Sequence, residues 1–215
     1  MLHDLSKTNS LLNHFIAELR DVNIQKDSMR FRRNLERIGE VAALEISKTM
    51  NYSSVEIQTP LGVAGSSLLK EQPVLATILR AGLPMHQGLQ NYFDRAQNAF
   101  ISAYRKHHKD GSFDVQVEYL ACPELNGKTL IISDPMVATG SSLALTYKAL
   151  LRRGNPGQIH IVCAIASVDG IAHIRKTLPD SAHIWCGAID EELTAQSYIV
   201  PGLGDAGDLA FGEKI

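Results

Sequence analysis

Between Asp27 and Met50, apolar residues fall at Phe31, Leu35, Ile38, Ala42 and Ile46, with Arg and Glu spread over the intervening positions. That period is one face of an α-helix, and Asp27 or Ser28 supplies a capping side chain at its start. The first fifty residues read as helical throughout. The apolar stripe fits either packing onto the body of the domain or a contact between subunits, and periodicity does not separate the two.

From residue 73 the pattern changes to short apolar runs alternating with helical stretches. Val74 to Leu79, Asn98 to Tyr104, Phe113 to Leu120, Thr129 to Ser133, Ile159 to Ala166 and His183 to Cys186 are predicted strands. Helices are predicted from Pro84, from Ser141 to Arg153 before Gly154-Asn155-Pro156, and from Val168 to Leu178. Arg105 to Ser112 is polar and reads as a loop or hairpin tip. Strands separated by helices predict an α/β fold with a mostly parallel central sheet flanked by helices. With no repeat and no low-complexity linker, residues 1–215 are expected to form a single domain with a helical extension over residues 1–50.

Composition narrows the class without naming it. The chain has 215 residues, a net charge of −2 and 45% hydrophobic residues, the profile of an ordinary globular protein. This balance gives no electrostatic reason to expect nucleic acid or a membrane surface as partner. The longest mostly apolar run, Ile159 to Val168, is far too short to span a bilayer, and the first residues lack the order of a signal peptide. Cys122, Cys163 and Cys186 are scattered and odd in number, which fits a reducing, cytoplasmic setting. No CxxC or HExxH spacing occurs, and His107-His108 lie side by side in a polar stretch, so no structural metal site is expected.

Ligands of an open parallel sheet bind beyond the carboxyl ends of its strands, and three unusual segments are expected there. In Ser133-Asp134-Pro135-Met136-Val137-Ala138-Thr139-Gly140-Ser141-Ser142, a buried strand delivers Asp134 to its end and a helix opens at Thr139 to Ser142. Free N–H groups at a helix start, Gly140 and three hydroxyls suit a phosphate, and Asp134 suits the paired hydroxyls of a sugar carrying it. An ordinary helix with a Thr or Ser cap explains the hydroxyls but not the acid at the strand end. The second segment, Ile78-Leu79-Arg80-Ala81-Gly82-Leu83, places an arginine next to a strand end. An arginine there suits bidentate binding of a diphosphate, but on chemistry alone a surface arginine near a helix start is the better reading.

The third segment is Tyr198-Ile199-Val200-Pro201-Gly202-Leu203-Gly204-Asp205-Ala206-Gly207-Asp208. Gly202 to Gly207 matches GxGxxG, yet only residues 208–215 follow, too few for a dinucleotide-binding βαβ unit. Gly127-Lys128-Thr129 is likewise no P-loop, since it lacks the first glycine and precedes a strand. Main-chain N–H and C=O groups in such a glycine-enabled loop match the alternating edge of a pyrimidine base.

The segment Asp134-Pro135-Met136-Val137-Ala138-Thr139-Gly140-Ser141-Ser142 resembles the phosphoribosyl-diphosphate loop of type I phosphoribosyltransferases. Its form Asp-Pro-Met-x-Ala-Thr-Gly-x-Ser is similar to the uracil phosphoribosyltransferase family in particular. Ile78 to Leu83 and Tyr198 to Asp208 are similar to further motifs of that family, and the resemblance extends from about residue 20 to residue 212. It includes Leu19-Arg20-Asp21, Thr59-Pro60-Leu61 and Ala188-Ile189-Asp190-Glu191.

The resemblance implies a type I phosphoribosyltransferase fold with a base-binding segment at residues 198–212. It also implies the conversion of uracil and 5-phosphoribosyl 1-diphosphate into UMP and diphosphate. Arg80, Arg105 and Asp134 would then be the catalytic residues. Phosphoribosyl diphosphate would meet these three together with Pro135, Met136, Val137, Ala138, Thr139, Gly140, Ser141, Ser142 and Asp205. Uracil would meet Tyr198, Ile199, Gly204, Asp205 and Ala206. Mg²⁺ would be held mainly through the substrate, a homo-oligomer (dimer or tetramer) is expected, and GTP is a nucleotide associated with the family.

The chain departs from the family at Pro84, Gln87, Ser141, the Lys106-His107 pair and Leu209. The competing classes are a phosphoribosyltransferase for another base and a non-catalytic nucleotide sensor on the same fold.

Overall fold

The computed structural model describes the backbone of residues 1–107 and 113–213, and the side chains of all these except 103–107 and 113–116. The chain opens with a short strand, β1 (Leu2–Asp4), then helices α1 (Leu11–Arg20) and α2 (Ser28–Ser47). Next come a hairpin, β2 (Tyr52–Thr59) with β3 (Gly62–Leu69), then β4 (Val74–Leu79), α3 (Leu83–Tyr92), β5 (Gln97–His107) and β6 (Phe113–Ala121). The second half runs β7 (Thr129–Ser133), β8 (Met136–Val137), α4 (Ser141–Leu150), β9 (Gln158–Ser167), α5 (Val168–Arg175) and β10 (His183–Asp190). It ends with β11 (Glu192–Leu193), β12 (Ile199–Val200) and α6 (Ala206–Phe211).

The main sheet has the order β1-β10-β9-β7-β4-β5-β6, with β8 added beside β9, and every pairing is parallel except β5 with β6. Its central strands are continuous apolar runs because both faces are covered. Leu75, Ile131, Val162 and Trp185 face α1, α2 and α3, where they meet Leu12, Leu19, Leu35, Met85 and Leu89. Ala76, Ile132, Ile161 and Cys163 face α4 and α5, where they meet Leu143, Leu150, Ile171 and Ile174. The α/β class, the mostly parallel sheet and the flanking helices are as the pattern predicts.

Three local readings are corrected and one open alternative is resolved. Leu2–Asp4 is not helical but pairs in parallel with Ile184–Cys186 on β10, whose outer edge would otherwise leave its hydrogen-bonding groups exposed. Arg105, Lys106 and His107 are not loop: they continue β5, opposite Val115, Asp114 and Phe113, because an antiparallel ladder satisfies their backbone groups whatever their side chains. Residues 108–112, the rest of that predicted loop, lie outside the described residues. The α4 and α5 helices stop at Leu150 and Arg175, and a 3₁₀ turn, Leu151–Arg153, finishes the first. The α2 stripe packs inward, with Phe31, Leu35, Ile38, Ala42 and Ile46 all buried, so packing onto the body accounts for it. Asp27 caps this helix by accepting a bond from the Arg30 N–H.

Candidate active site

The chain leaves β4 through α3, on the α1–α2 face, to reach β5; it leaves β7 through α4, on the opposite face, to reach β9. The adjacent strands β4 and β7 therefore diverge at their carboxyl ends, and a crevice opens where the winding reverses. Arg80 follows β4 and Asp134 follows β7, with Thr77 in register with Ser133. Arg105 lies on β5, the other neighbour of β4, three residues beyond the register pair Leu79–Ser102. Three predicted residues are thus brought to one sheet edge; the Arg105 side chain lies outside the described residues.

Asp134 is half-buried at the carboxyl end of β7. Its Oδ1 accepts one long bond, from the Met136 N–H at 3.5 Å. Desolvation outweighs that bond and pushes its pKa up to about 7. A buried acid this poorly satisfied is suited to hydroxyl donors from a ligand.

The segment from Asp134 to Ser142 is carried by strand contacts upstream and by α5 downstream. The Pro135 carbonyl accepts bonds from the Ala164 and Ile165 N–H groups at 3.1 and 3.0 Å, and β8 then pairs with β9. Gly140 is the N-cap of α4 with φ of +75°, and no side chain caps the helix. Against the capping alternative, the Thr139 hydroxyl donates to the Ser141 hydroxyl at 3.1 Å and accepts only a long bond, 3.4 Å, from the Ser141 N–H, and a helix start so weakly capped suits an anion. A Cβ at Gly140 would lie 2.7 Å from Ile174 Cγ2 and 2.8 Å from the Gly170 carbonyl oxygen. Glycine is therefore demanded here by the α5 contact as well as by any bound anion.

Ser167 was not singled out from sequence. Its hydroxyl donates to the Ala138 carbonyl at 2.5 Å and accepts from the Gly170 N–H at 2.8 Å, tying the loop after Asp134 to the start of α5. The Ser167 capping position is legible in sequence; its reach to residue 138 is not.

The C-terminal segment closes the same edge. The Arg80 guanidinium donates to the Gly212 carbonyl at 3.1 Å and lies 3.5 Å from an Asp208 carboxylate oxygen. Ile199 is buried in the core and pairs with Leu193, so only its main chain is available to a ligand, while Tyr198 is half-exposed. Gly204 is exposed between buried Leu203 and buried Ala206. Asp205 caps α6, accepting from the Gly207 and Asp208 N–H groups at 2.8 and 3.0 Å.

The departures fall into place locally. Pro84 sits in the first turn of α3, where its missing N–H costs nothing, and Gln87 bonds Asn91 on the helix exterior. Leu209 packs against the core beneath Gly204.

A crevice at the winding reversal, an acid at the strand end and an uncapped helix start after it define the type I phosphoribosyltransferase class. A solved hypoxanthine phosphoribosyltransferase of Staphylococcus aureus shares the fold, with a TM-score of 0.50 over 75% of this chain and 76% of that one at 15% identity. A solved Aquifex aeolicus protein superposes with a TM-score of 0.87, covering 99% of this chain and 98% of that one at 29% identity. The family model for uracil phosphoribosyltransferase matches residues 6–213. The uracil phosphoribosyltransferase of Porphyromonas gingivalis is 57% identical over 211 residues, 98% of each chain. That of Thermococcus gammatolerans is 38% identical over 203 residues, 93% of this chain and 88% of the relative.

The chain belongs to the uracil phosphoribosyltransferase family, and the catalytic class that goes with it is phosphoribosyl transfer to uracil.

Proposed function

We propose that this chain joins uracil to the ribosyl carbon of 5-phosphoribosyl 1-diphosphate, releasing diphosphate and forming UMP, with the following division of labour. The N–H groups and hydroxyls of residues 139–142 hold the 5′-phosphate, and residues 135–138 line the path to it. Asp134 accepts bonds from the ribose hydroxyls; two donors favour its charged form, so a carboxyl held near neutrality gains much from them. Arg80 and Arg105 stabilise charge on the departing diphosphate. Main-chain groups of Ile199 and Gly204 to Ala206 meet the uracil edge, with Tyr198 beside them and Asp205 on the side of the sugar. Much of the rate then comes from holding base and sugar carbon together.

The observation that carries this reading is the convergence of the β4, β7 and C-terminal segments on one crevice, with Arg80 bonded across it to Gly212. Among the described residues no group of three His, Cys, Asp or Glu side chains gathers as a metal site. Asp134 is a hard oxygen donor, so the residues present fit a Mg²⁺ that takes most of its ligands from substrate and water. When bound, that ion neutralises charge on the diphosphate oxygens.

A homo-oligomer belongs to the same proposal. Its supporting feature is the β2–β3 hairpin, which leaves Ile57, Val63 and Leu68 exposed and Leu61 fully so. No helix among the described residues is long and apolar enough to cross a membrane, and a cytoplasmic setting is proposed from the free cysteines. GTP activation is carried by the resemblance alone.

The decisive experiment mixes the protein with phosphoribosyl diphosphate, Mg²⁺ and one of uracil, cytosine or hypoxanthine, and follows diphosphate release. Release with uracil only is expected. Release with hypoxanthine instead would move the chain to another branch, and none with any base would favour a nucleotide sensor.

A further inference from the structure

Arg20 is the last residue of α1, the helix whose Leu12, Ile16 and Leu19 are buried against the body of the protein. That packing brings its guanidinium to the carboxyl end of β10, where Asp190 waits. The two form a forked pair, Arg20 Nη1 to Asp190 Oδ2 at 2.8 Å and Nη2 to Oδ1 at 2.7 Å. The Asp190 side chain is only 6% exposed and that of Arg20 24%, so the pair is partly buried rather than a surface one.

Two further hydrogen bonds of the pair go to a single residue of the C-terminal segment. Arg20 Nη1 also donates to the Gly202 carbonyl at 3.0 Å, and Asp190 Oδ2 accepts from the Gly202 N–H at 2.9 Å. Both backbone groups of Gly202 are thereby held by one ion pair. Gly202 has φ of +55°, and a Cβ there would lie 2.1 Å from the Ile199 carbonyl oxygen, so the turn between Ile199 and Gly204 is tight. Burial works against the Asp190 charge, but the Arg20 and Gly202 bonds outweigh it and hold the carboxyl below its usual range. On the far side of the segment, Arg32 of α2 donates to the Ala210 carbonyl at 2.7 Å. The short exposed stretch at Gly204 is thus suspended between anchors supplied by the two N-terminal helices.

We propose that Arg20 and Asp190 are positioning residues for the base: their pair fixes Gly202 so that the main-chain groups of residues 199–206 stand at the spacing uracil requires. The inference rests on the assignment of that segment as the base site. It makes the N-terminal helices part of base recognition, although neither Arg20 nor Asp190 need touch a substrate. The fork matters as well as the charge, because a lysine ammonium offers no planar pair of donors to the carboxylate.

The test is steady-state kinetics on Arg20→Ala, Arg20→Lys and Asp190→Asn, with Gly204→Ala as a variant of the segment itself. Circular dichroism and melting temperature check folding. The expected result is a KM for uracil raised tenfold or more in Arg20→Ala and Asp190→Asn, with the KM for phosphoribosyl diphosphate within twofold. Arg20→Lys should fall between these variants and the parent. In the double variant the two losses should be less than additive, since either change alone breaks the same pair.

An unchanged uracil KM in folded Asp190→Asn, or equal rises in both KM values, overturns the inference. Where Arg20→Ala does not fold, Arg20→Lys and Asp190→Asn decide. If Gly204→Ala raises the uracil KM and the ion-pair variants do not, the inference fails while the base site stands. If Gly204→Ala changes nothing, the base-site assignment itself is wrong and the inference falls with it.

Discussion

Asp134 carries the sharpest consequences of any single residue. Burial penalises the charge of its carboxyl and pushes its pKa from the usual 3.8 up to about 7. A raised native pKa means that the folded state binds more protons than the unfolded one between pH 4 and 7. The associated stability is therefore full at low pH and lost as pH rises through that window. Asp134→Asn removes the charge, so at pH 8 the ligand-free variant should be more stable than the parent by on the order of 2–4 kcal/mol. The same change should cost on the order of 2–4 kcal/mol of transition-state stabilisation, as should Arg80→Ala. Thermal melts at pH 5 and pH 8, paired with kcat/KM, check both. Identical pH slopes for parent and variant would remove the buried charge from the explanation. Gly140→Ala belongs at this scale too: the left-handed backbone and the contact with Gly170 predict a loss of about 1–3 kcal/mol, read from denaturant unfolding.

Elements transmit what single residues cannot. Ser167 caps α5, yet its hydroxyl also holds the Ala138 carbonyl, so one side chain couples a helix start to the loop proposed to hold the phosphate. Ser167→Ala should destabilise by about 1–2 kcal/mol, the usual cost of losing a cap. It should raise the KM for phosphoribosyl diphosphate more than that for uracil; an effect confined to stability would sever the link to the loop. The β2–β3 hairpin acts at the same scale. Its two strands pair only with each other, and Val63 and Leu68 stand exposed along it. If a second copy of the chain covers this element, Ile57→Asp with Val63→Asp should shift the sedimentation coefficient toward the monomer. An unchanged value would free the hairpin from that role.

For the molecule as a whole, Asp134, His86 and His160 pull stability in opposite directions. Desolvation lowers the pKa of buried His86 from 6.5 to about 4; desolvation, joined by the nearby His183 and His3 imidazoles, lowers that of His160, which accepts a bond from the Trp185 indole, to about 3. A histidine kept neutral in the native state binds fewer protons than its unfolded counterpart. Stability is thus lost as pH falls below 6.5, by on the order of 3 kcal/mol each at pH 4. Two such groups outweigh the single opposite slope of Asp134, so the ligand-free protein should be most stable near pH 6.5 and unfold readily at pH 4. Calorimetric melts across pH 4–8 test this, and a flat profile below pH 6 would show that neither histidine needs to be neutral.

Sequence by itself determined whatever rests on local periodicity and on residues close together in the chain. The α2 stripe, the apolar strands β4, β7 and β9, the strand-end acid and the helix opening at Gly140 are all of that kind. So is the family resemblance, because its motifs are contiguous. Tertiary structure decided what depends on partners far apart in sequence. Leu2–Asp4 became a strand because β10 offered an open edge, and Arg105 to His107 became ladder because β6 came alongside. Arg80 met Gly212, and Arg20 met Asp190 and Gly202, across separations of more than a hundred residues. A hydrogen bond leaves no mark on sequence spacing when the loop it closes is that long. The sequence therefore specified the pieces of the candidate site, and only the packing of α1 and the sheet decided what holds the segment proposed to bind the base.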